Sequence, residues 1–153
     1  MTIEVRLEQQ GIILPEAAAP VASYVPVVVS GGYAHVSGQL PFRDGELMTG
    51  RLGENVSLEE GMEAARACGL MLLAQLKQAM IPLDKVVRVV KLGAFVNSTP
   101  DFTDQPKVAN GVSDLMIDVF GDKGRHARAA VGVAALPLGA AVEVDGIFAL
   151  ADA

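Results

Sequence analysis

The chain has 153 residues, 51% hydrophobic but only 5% aromatic, with no Trp and a formal net charge of −6. That length suits one domain with a core of its own. The acidic balance makes nucleic acid a poor electrostatic partner, and no run approaches the roughly 20 apolar residues of a membrane span. A single cysteine, Cys68, excludes an internal disulfide and a CxxC motif and fits a reducing, cytoplasmic compartment. A mean hydropathy of +0.38 in so short a chain implies apolar surface buried between subunits.

The opening MTIEVRLEQQ carries too much charge for a signal peptide. Within it, Ile3 to Gln9 is a short amphipathic segment with Ile3 and Leu7 at helical spacing. Pro15 and the Ala-rich stretch after it read as a connection, so residues 1–20 form an extension to a single domain spanning 1–153. Tyr24 to Ser30 (YVPVVVS) is a β-branched strand in which Pro26 implies an edge or a bulge. Gly31-Gly32 turns the chain into a second strand, Tyr33 to Ser37. SGQLPFRDGELMTGRLGENV then reads as a long, glycine-rich loop, of a length that usually serves a function or docks on a neighbour.

Ser57 to Glu60 (SLEE) is a capping box that starts a long helix. Its stripe of Leu58, Met62, Ala65, Gly69, Leu72, Leu73, Leu76 and Met80 keeps a 3.6-residue period, and the helix stops before Pro82. Cys68 lies beside the stripe and reads as a buried, inert thiol. Val86 to Val96 is a strand. Asn97 to Asp101 turns into a second helix with Pro106 in its first turn, a buried face of Val108, Val112, Leu115, Met116 and Val119, and Gly121 at its end.

The last stretch, Gly124 to Leu150, holds two Ala/Val-rich runs flanking Leu136-Pro137-Leu138-Gly139 and reads as a β-hairpin. Alternation sets Ala127, Ala129, Val131 and Val133 on one face, and Arg128, Ala130, Gly132 and Ala134 on the other. The second face, one guanidinium among small residues, leaves room for a ligand or another subunit. Centring the hairpin near Leu138 puts Glu143 opposite Val133, about 16 Å from Arg128. One small substrate cannot span that distance, so a site using both residues must join two chains.

The order β-β-α-β-α-β-β predicts an α+β sandwich, two helices on one face of a mixed sheet, with the bare face closed by subunit association. No phosphate-binding loop, HExxH or GxSxG motif occurs. His35 reads as structural or solvated. His126 shares strand parity with Arg128, and with Ala130 it is a candidate lining of the same pocket. Two isolated histidines do not make a metal site, and neither metal nor cofactor is expected.

Two separated motifs carry a family resemblance. Ser37-Gly38-Gln39-Leu40-Pro41 resembles the SGQ(I/L)P signature of the RidA/YjgF family. Ala127-Arg128, Val131 to Val133, Leu136-Pro137 and Val142-Glu143-Val144 resemble its C-terminal signature. The resemblance runs from Tyr24 onward, and is closest to a subgroup with an N-terminal extension and the wording GRHAR…VGVAALPLGAAVEV.

That resemblance implies a chorismate-mutase-like fold, a homotrimer whose sheets form a barrel, and sites in the clefts between subunits. It implies hydrolysis of reactive 2-imino acids or their enamine tautomers to 2-keto acids and ammonia. By position, Arg128 matches the substrate-carboxylate arginine, Tyr24, Ser37 and Asn110 match pocket residues, and Glu143 matches the glutamate of the catalytic water. Ala129 and Ala130 stand where the best-known members carry polar residues. Two other readings stay open: a non-catalytic module binding a small carboxylate metabolite, and an RNA-cleaving enzyme. The acidic charge, scarce aromatics and lack of a basic run oppose the second.

Overall fold

The computed structural model describes residues 1–20 and 22–152. Helix α1, Ile3–Gln9, is capped by the Thr2 hydroxyl, which accepts from the Val5 amide. It buries Leu7, and Arg6 Nε and the Gln10 amide both donate to the Asp118 carbonyl. Helix α2, Leu58–Gln78, starts at Ser57 with both bonds of the predicted capping box and ends at Ala79, three residues before Pro82. Helix α3, Gln105–Phe120, has Pro106 in its first turn and stops at Gly121, whose φ of +64° favours glycine. All five predicted buried residues of α3 are fully enclosed, as is Cys68 on α2.

The main sheet contains β1 (Val27–Ser30), β2 (Tyr33–Gln39), β5 (Val86–Asn97), β6 (Ala127–Val133) and β7 (Val142–Leu150), in the order β1-β2-β7-β5-β6. The expected long loop also contains a small hairpin of β3 (Phe42–Arg43) and β4 (Glu46–Leu47), and it buries Leu52 completely. The first strand starts at Val27 rather than Tyr24. Ser37 draws the preceding carbonyls to itself: its amide donates to the Pro26 carbonyl and its hydroxyl to the Val25 carbonyl.

The predicted β-hairpin is not formed. β6 pairs in parallel with β5, while β7 runs antiparallel to β5 on its other side. The longest strand, twelve residues, therefore separates the two runs. Leu136 to Gly139 belongs to a connection that passes β5 by, and contains one 3₁₀ turn at Pro137–Gly139. Alternation reports which face a residue takes but not which strand lies beside it. The parallel β5–β6 pair needs a crossover, and α3 is that crossover.

The α+β sandwich itself forms as expected. α2 and α3 cover one face of the sheet, meeting Ala34, Val36, Leu92, Ala94, Val96, Val142, Val144 and Phe148 in one core. The opposite face carries Tyr33, His35 and Val131 in exposed positions, with Phe95 and Ile147 half-buried.

Candidate functional site

In α3 the positions 106, 110 and 113 are four and three residues apart, and so lie on one stripe of the helix. That stripe meets the start of β6. Arg128 donates from Nη1 to Asn110 Oδ1 at 2.9 Å and to Ser113 Oγ at 3.0 Å, and from Nη2 to the Pro106 carbonyl at 3.2 Å. A guanidinium has five N–H groups. Three go to α3, and the remaining two, one on Nε and one on Nη2, form a planar pair suited to the two oxygens of a carboxylate. Strand β6 is the last in the sheet, so this pair stands at its edge.

His126 belongs to the same cluster. Its Nε2 lies 2.8 Å from Ser113 Oγ, and its Nδ1 lies 2.5 Å from the Gly124 carbonyl. Burial pushes its pKa below the ordinary histidine value; the Gly124 bond opposes this and the Arg128 charge adds to it. Ala130 lies on the Arg128 side of β6, packed against the core. On the small-residue face of β6, Gly132 and Ala134 are exposed and Ala130 is half-buried, but the face is partly filled at Gly132. A Cβ at Gly132 would meet Ser98 Oγ and Gln105 Nε2 at 2.6 and 2.7 Å, so the space beside it is taken by the end of β5 and the start of α3.

The other predicted residues gather elsewhere. Between Val36 and Gln39 strand β2 carries a bulge against β7, which places Ser37-Gly38 beside Glu143. A Cβ at Gly38 would collide with the Glu143 carboxylate, so this glycine of the SGQLP motif makes room for the acid of the VEV motif. Burial pushes the half-buried Glu143 carboxyl above its ordinary pKa, and Asp145 two residues along adds to the rise. Because Ser37 spends its hydroxyl proton on Val25, only its lone pairs are free for a ligand. Tyr24 is 44% exposed and lines a cavity of about 200 Å³ with Pro26, Gly38, Leu40 and Phe42. Burial raises the Cys68 thiol well above its ordinary pKa, which makes it a poor nucleophile.

The predicted site residues thus form two groups in one chain. Asn110, His126, Arg128 and Ala130 lie at the α3–β6 edge; Tyr24, Ser37 and Glu143 lie around the β2–β7 bulge. Arg128 pairs with Leu92, and Leu92 with Gly146, three residues beyond Glu143. Two strand spacings and three residue rises separate the α-carbons by about 14 Å. The odd offset also turns the two side chains to opposite faces. The 16 Å figure drawn from a hairpin is replaced by this register.

Two members escaped sequence reasoning. Ser113 is readable only once Arg128 is known to face α3, through its three-residue spacing from Asn110. Gly38 needed the bulge. A cavity of about 750 Å³ lies between residues 13–18, 42–45 and the outer face of α2, and none of the predicted site residues lines it. Among the described residues no three His, Cys, Asp or Glu side chains converge to hold a metal ion.

Comparison with known proteins agrees with the motifs. The sequence pattern of the family described as "YjgF/chorismate_mutase-like, putative endoribonuclease" matches residues 4–150. The chain is 56% identical to "Protein TCP17" of Trypanosoma cruzi, over 97% of this chain and 94% of that one. Its structure is similar to that of Atu1372, a protein of unknown function from Agrobacterium tumefaciens, with 46% identity, coverage of 97% and 92%, and a TM-score of 0.90. It is also similar to RidA from an Antarctic Psychrobacter, with 27% identity, coverage of 88% and 94%, and a TM-score of 0.61. With a family pattern spanning nearly its whole length and two motifs that the fold brings together around Glu143, this chain belongs to the RidA/YjgF family.

Proposed function

We propose that this protein is a homotrimeric hydrolase of reactive 2-imino acids and their enamine tautomers, releasing 2-keto acids and ammonia. Its sites would join the α3–β6 edge of one subunit to the β2–β7 bulge of the next. The observation that carries this reading is the pair of unused N–H groups on Arg128, held rigid by three bonds to α3. They face away from the only half-buried glutamate of the two motifs. A neighbouring chain brings the two groups together, and the exposed Tyr33 and Val131 of the bare sheet face supply apolar surface for that association.

The chemistry asks little more than orientation. The imine carbon is electrophilic, and more so when the nitrogen is protonated. Arg128 holds the substrate carboxylate in a two-bond contact, and the Asn110 amide N–H groups remain free to add a third. Glu143 takes a proton from water as its oxygen bonds to the imine carbon, which gives a carbinolamine. It returns that proton to nitrogen; as the C–N bond breaks and the C=O bond forms, the hydroxyl proton passes to Glu143 and on to the departing ammonia, which leaves as ammonium. The raised pKa of Glu143 suits a group that must accept and return one proton. Ser37, with lone pairs to offer, suits the N–H of a protonated imine.

Ala129 and Ala130, apolar neighbours of Arg128, keep a second reading in view, a binding module for a small carboxylate metabolite. RNA cleavage is disfavoured by the net charge of −6. The decisive experiment couples an amino-acid oxidase to the protein and follows the transient imine across several side chains. Faster disappearance, from a species near three times 15.9 kDa by light scattering, is the expected result. Tight 2-keto-acid binding without acceleration would leave the binding module and end the enzyme reading.

A further inference from the structure

We propose that Ser113 and His126 act together as positioning residues for Arg128, with the imidazole setting the direction of every proton in the chain Gly124–His126–Ser113–Arg128. The inference rests on the carboxylate role given to Arg128 above and goes beyond it.

The order follows from what each atom can do. The Gly124 carbonyl only accepts, so the ring nitrogen facing it, Nδ1, must carry the proton. In the neutral ring Nε2 is then a bare acceptor, and the Ser113 hydroxyl 2.8 Å away must donate to it. With its proton committed there, Ser113 Oγ presents lone pairs to Arg128 Nη1 at 3.0 Å. Remove the imidazole and the hydroxyl becomes a free rotor. Its proton can turn toward the guanidinium, where it repels, or back to a carbonyl of its own helix.

The local sequence is built for this arrangement. Gly124 ends a 3₁₀ turn, Gly121–Gly124, and a Cβ there would overlap the Met116 carbonyl of α3. Only glycine lets the turn lie so close to the helix, which sets the height of its carbonyl under His126. Arg125 points its own carbonyl at Arg88 Nε, at 2.7 Å, which ties the same segment to β5. The spacing Gly124-x-His126-x-Arg128 thus places a proton acceptor, a ring and a guanidinium in line.

Protonating the ring breaks the order. Nε2 would become a donor, and Ser113 Oγ would face two cationic N–H groups. The charges bearing on His126 are the guanidiniums of Arg128 on β6 and Arg88 on β5, both unfavourable to an imidazolium. From α3 it is met by the neutral Ser113 hydroxyl, and Asp122 on the preceding turn pairs with Arg125. Burial also favours the neutral ring. Arg128 is therefore ordered at neutral pH and loosened in acid.

The test uses the full chain, which has only two histidines. A long-range ¹H–¹⁵N correlation spectrum at pH 7 should show His126 as the Nδ1–H tautomer; an Nε2–H tautomer overturns the proposal. Binding of 2-oxobutanoate should weaken about tenfold in Ser113→Ala, stay within about threefold of wild type in Ser113→Thr, and weaken severalfold in His126→Phe. Wild-type affinity should fall as pH drops below the ordinary histidine range, and His126→Phe should flatten that fall. Wild-type affinity in Ser113→Ala, or an unchanged pH profile in His126→Phe, overturns the proposal. If the wild type does not bind 2-oxobutanoate, the deaminase reading falls instead. The hydrogen exchange of the Arg128 Nη groups, slow in wild type and fast in both Ser113→Ala and His126→Phe, then still decides the positioning role.

Discussion

The two halves of the candidate site are built by opposite means. At the α3–β6 edge, Arg128 is held by acceptors that point at it: three bonds from its guanidinium into one helix stripe, and a fourth group, His126, behind Ser113. At the β2–β7 bulge, Glu143 has no such cradle. It has space, left by Gly38, and an environment that disfavours its charge through burial and Asp145. The first half is completed by hydrogen bonds within a single chain. The second carries a cost that only a partner or a reaction can use. For the proposed deaminase neither half alone would suffice: a positioned cation without an acid would orient substrate but move no proton, and a perturbed acid without the cation would have nothing oriented to act on.

The largest expected effect breaks the comparison outright. Arg128→Ala and Glu143→Ala chains should each lose activity by at least about 100-fold, because each lacks one half of every cleft. Mixed and allowed to exchange, they should regain about a quarter of wild-type activity, since each cleft draws its two halves independently from different chains. Exchange is verified by tagging one kind of chain. A mixture that stays inactive despite proven exchange would place both halves in one chain and remove the intersubunit site.

A middle-sized effect sharpens the contrast. Gly38→Ala adds a methyl group where the Glu143 carboxylate lies, and the flexible acid must move aside. We expect kcat to fall about tenfold while KM and melting temperature change little, because the Arg128 half is untouched. A rise in KM with kcat intact would show that Gly38 serves substrate binding instead.

The smallest effect measures the cost carried by the second half. The folded-state pKa of Glu143 is raised, so its contribution to stability is complete below the unfolded value and is lost as pH rises through the folded one. At pH 7 the ionised acid opposes folding, and Glu143→Gln should melt higher, by on the order of 1–3 °C. The gain should vanish near pH 4, where wild-type Glu143 is protonated. A variant that melts lower than wild type at pH 7 would mean that the carboxylate is stabilised in the assembled protein.

Much of the architecture was legible in the sequence because it depends on local rules. The Ser57 capping box, the Pro82 and Gly121 stops, and the buried stripes of α2 and α3 follow from hydrogen-bond needs at helix ends and from a 3.6-residue period, except that Met80, expected on the α2 stripe, lies past the end of the helix and is 87% exposed. The burial of Cys68 followed from the same stripe. Motif positions also pointed to Arg128, Asn110, Tyr24, Ser37 and Glu143 as one set, and strand arithmetic already separated Arg128 from Glu143, although through a hairpin that does not form.

Neighbour relations were decided only in three dimensions. The runs around Arg128 and Glu143 are adjacent in sequence and alternate like a hairpin, yet β5 lies between them, since pairing depends on which long strand fills the centre of the sheet. The small residues after Arg128 read as open space, but only the tertiary packing shows that Ser98 and Gln105 fill it at Gly132. Ser113 is an ordinary helix serine until β6 is laid against it, and Gly38 is an ordinary turn glycine until the bulge sets it over Glu143. Sequence periodicity determines which face a side chain takes. What that face meets depends on contacts between residues far apart in the chain, and no local rule encodes them.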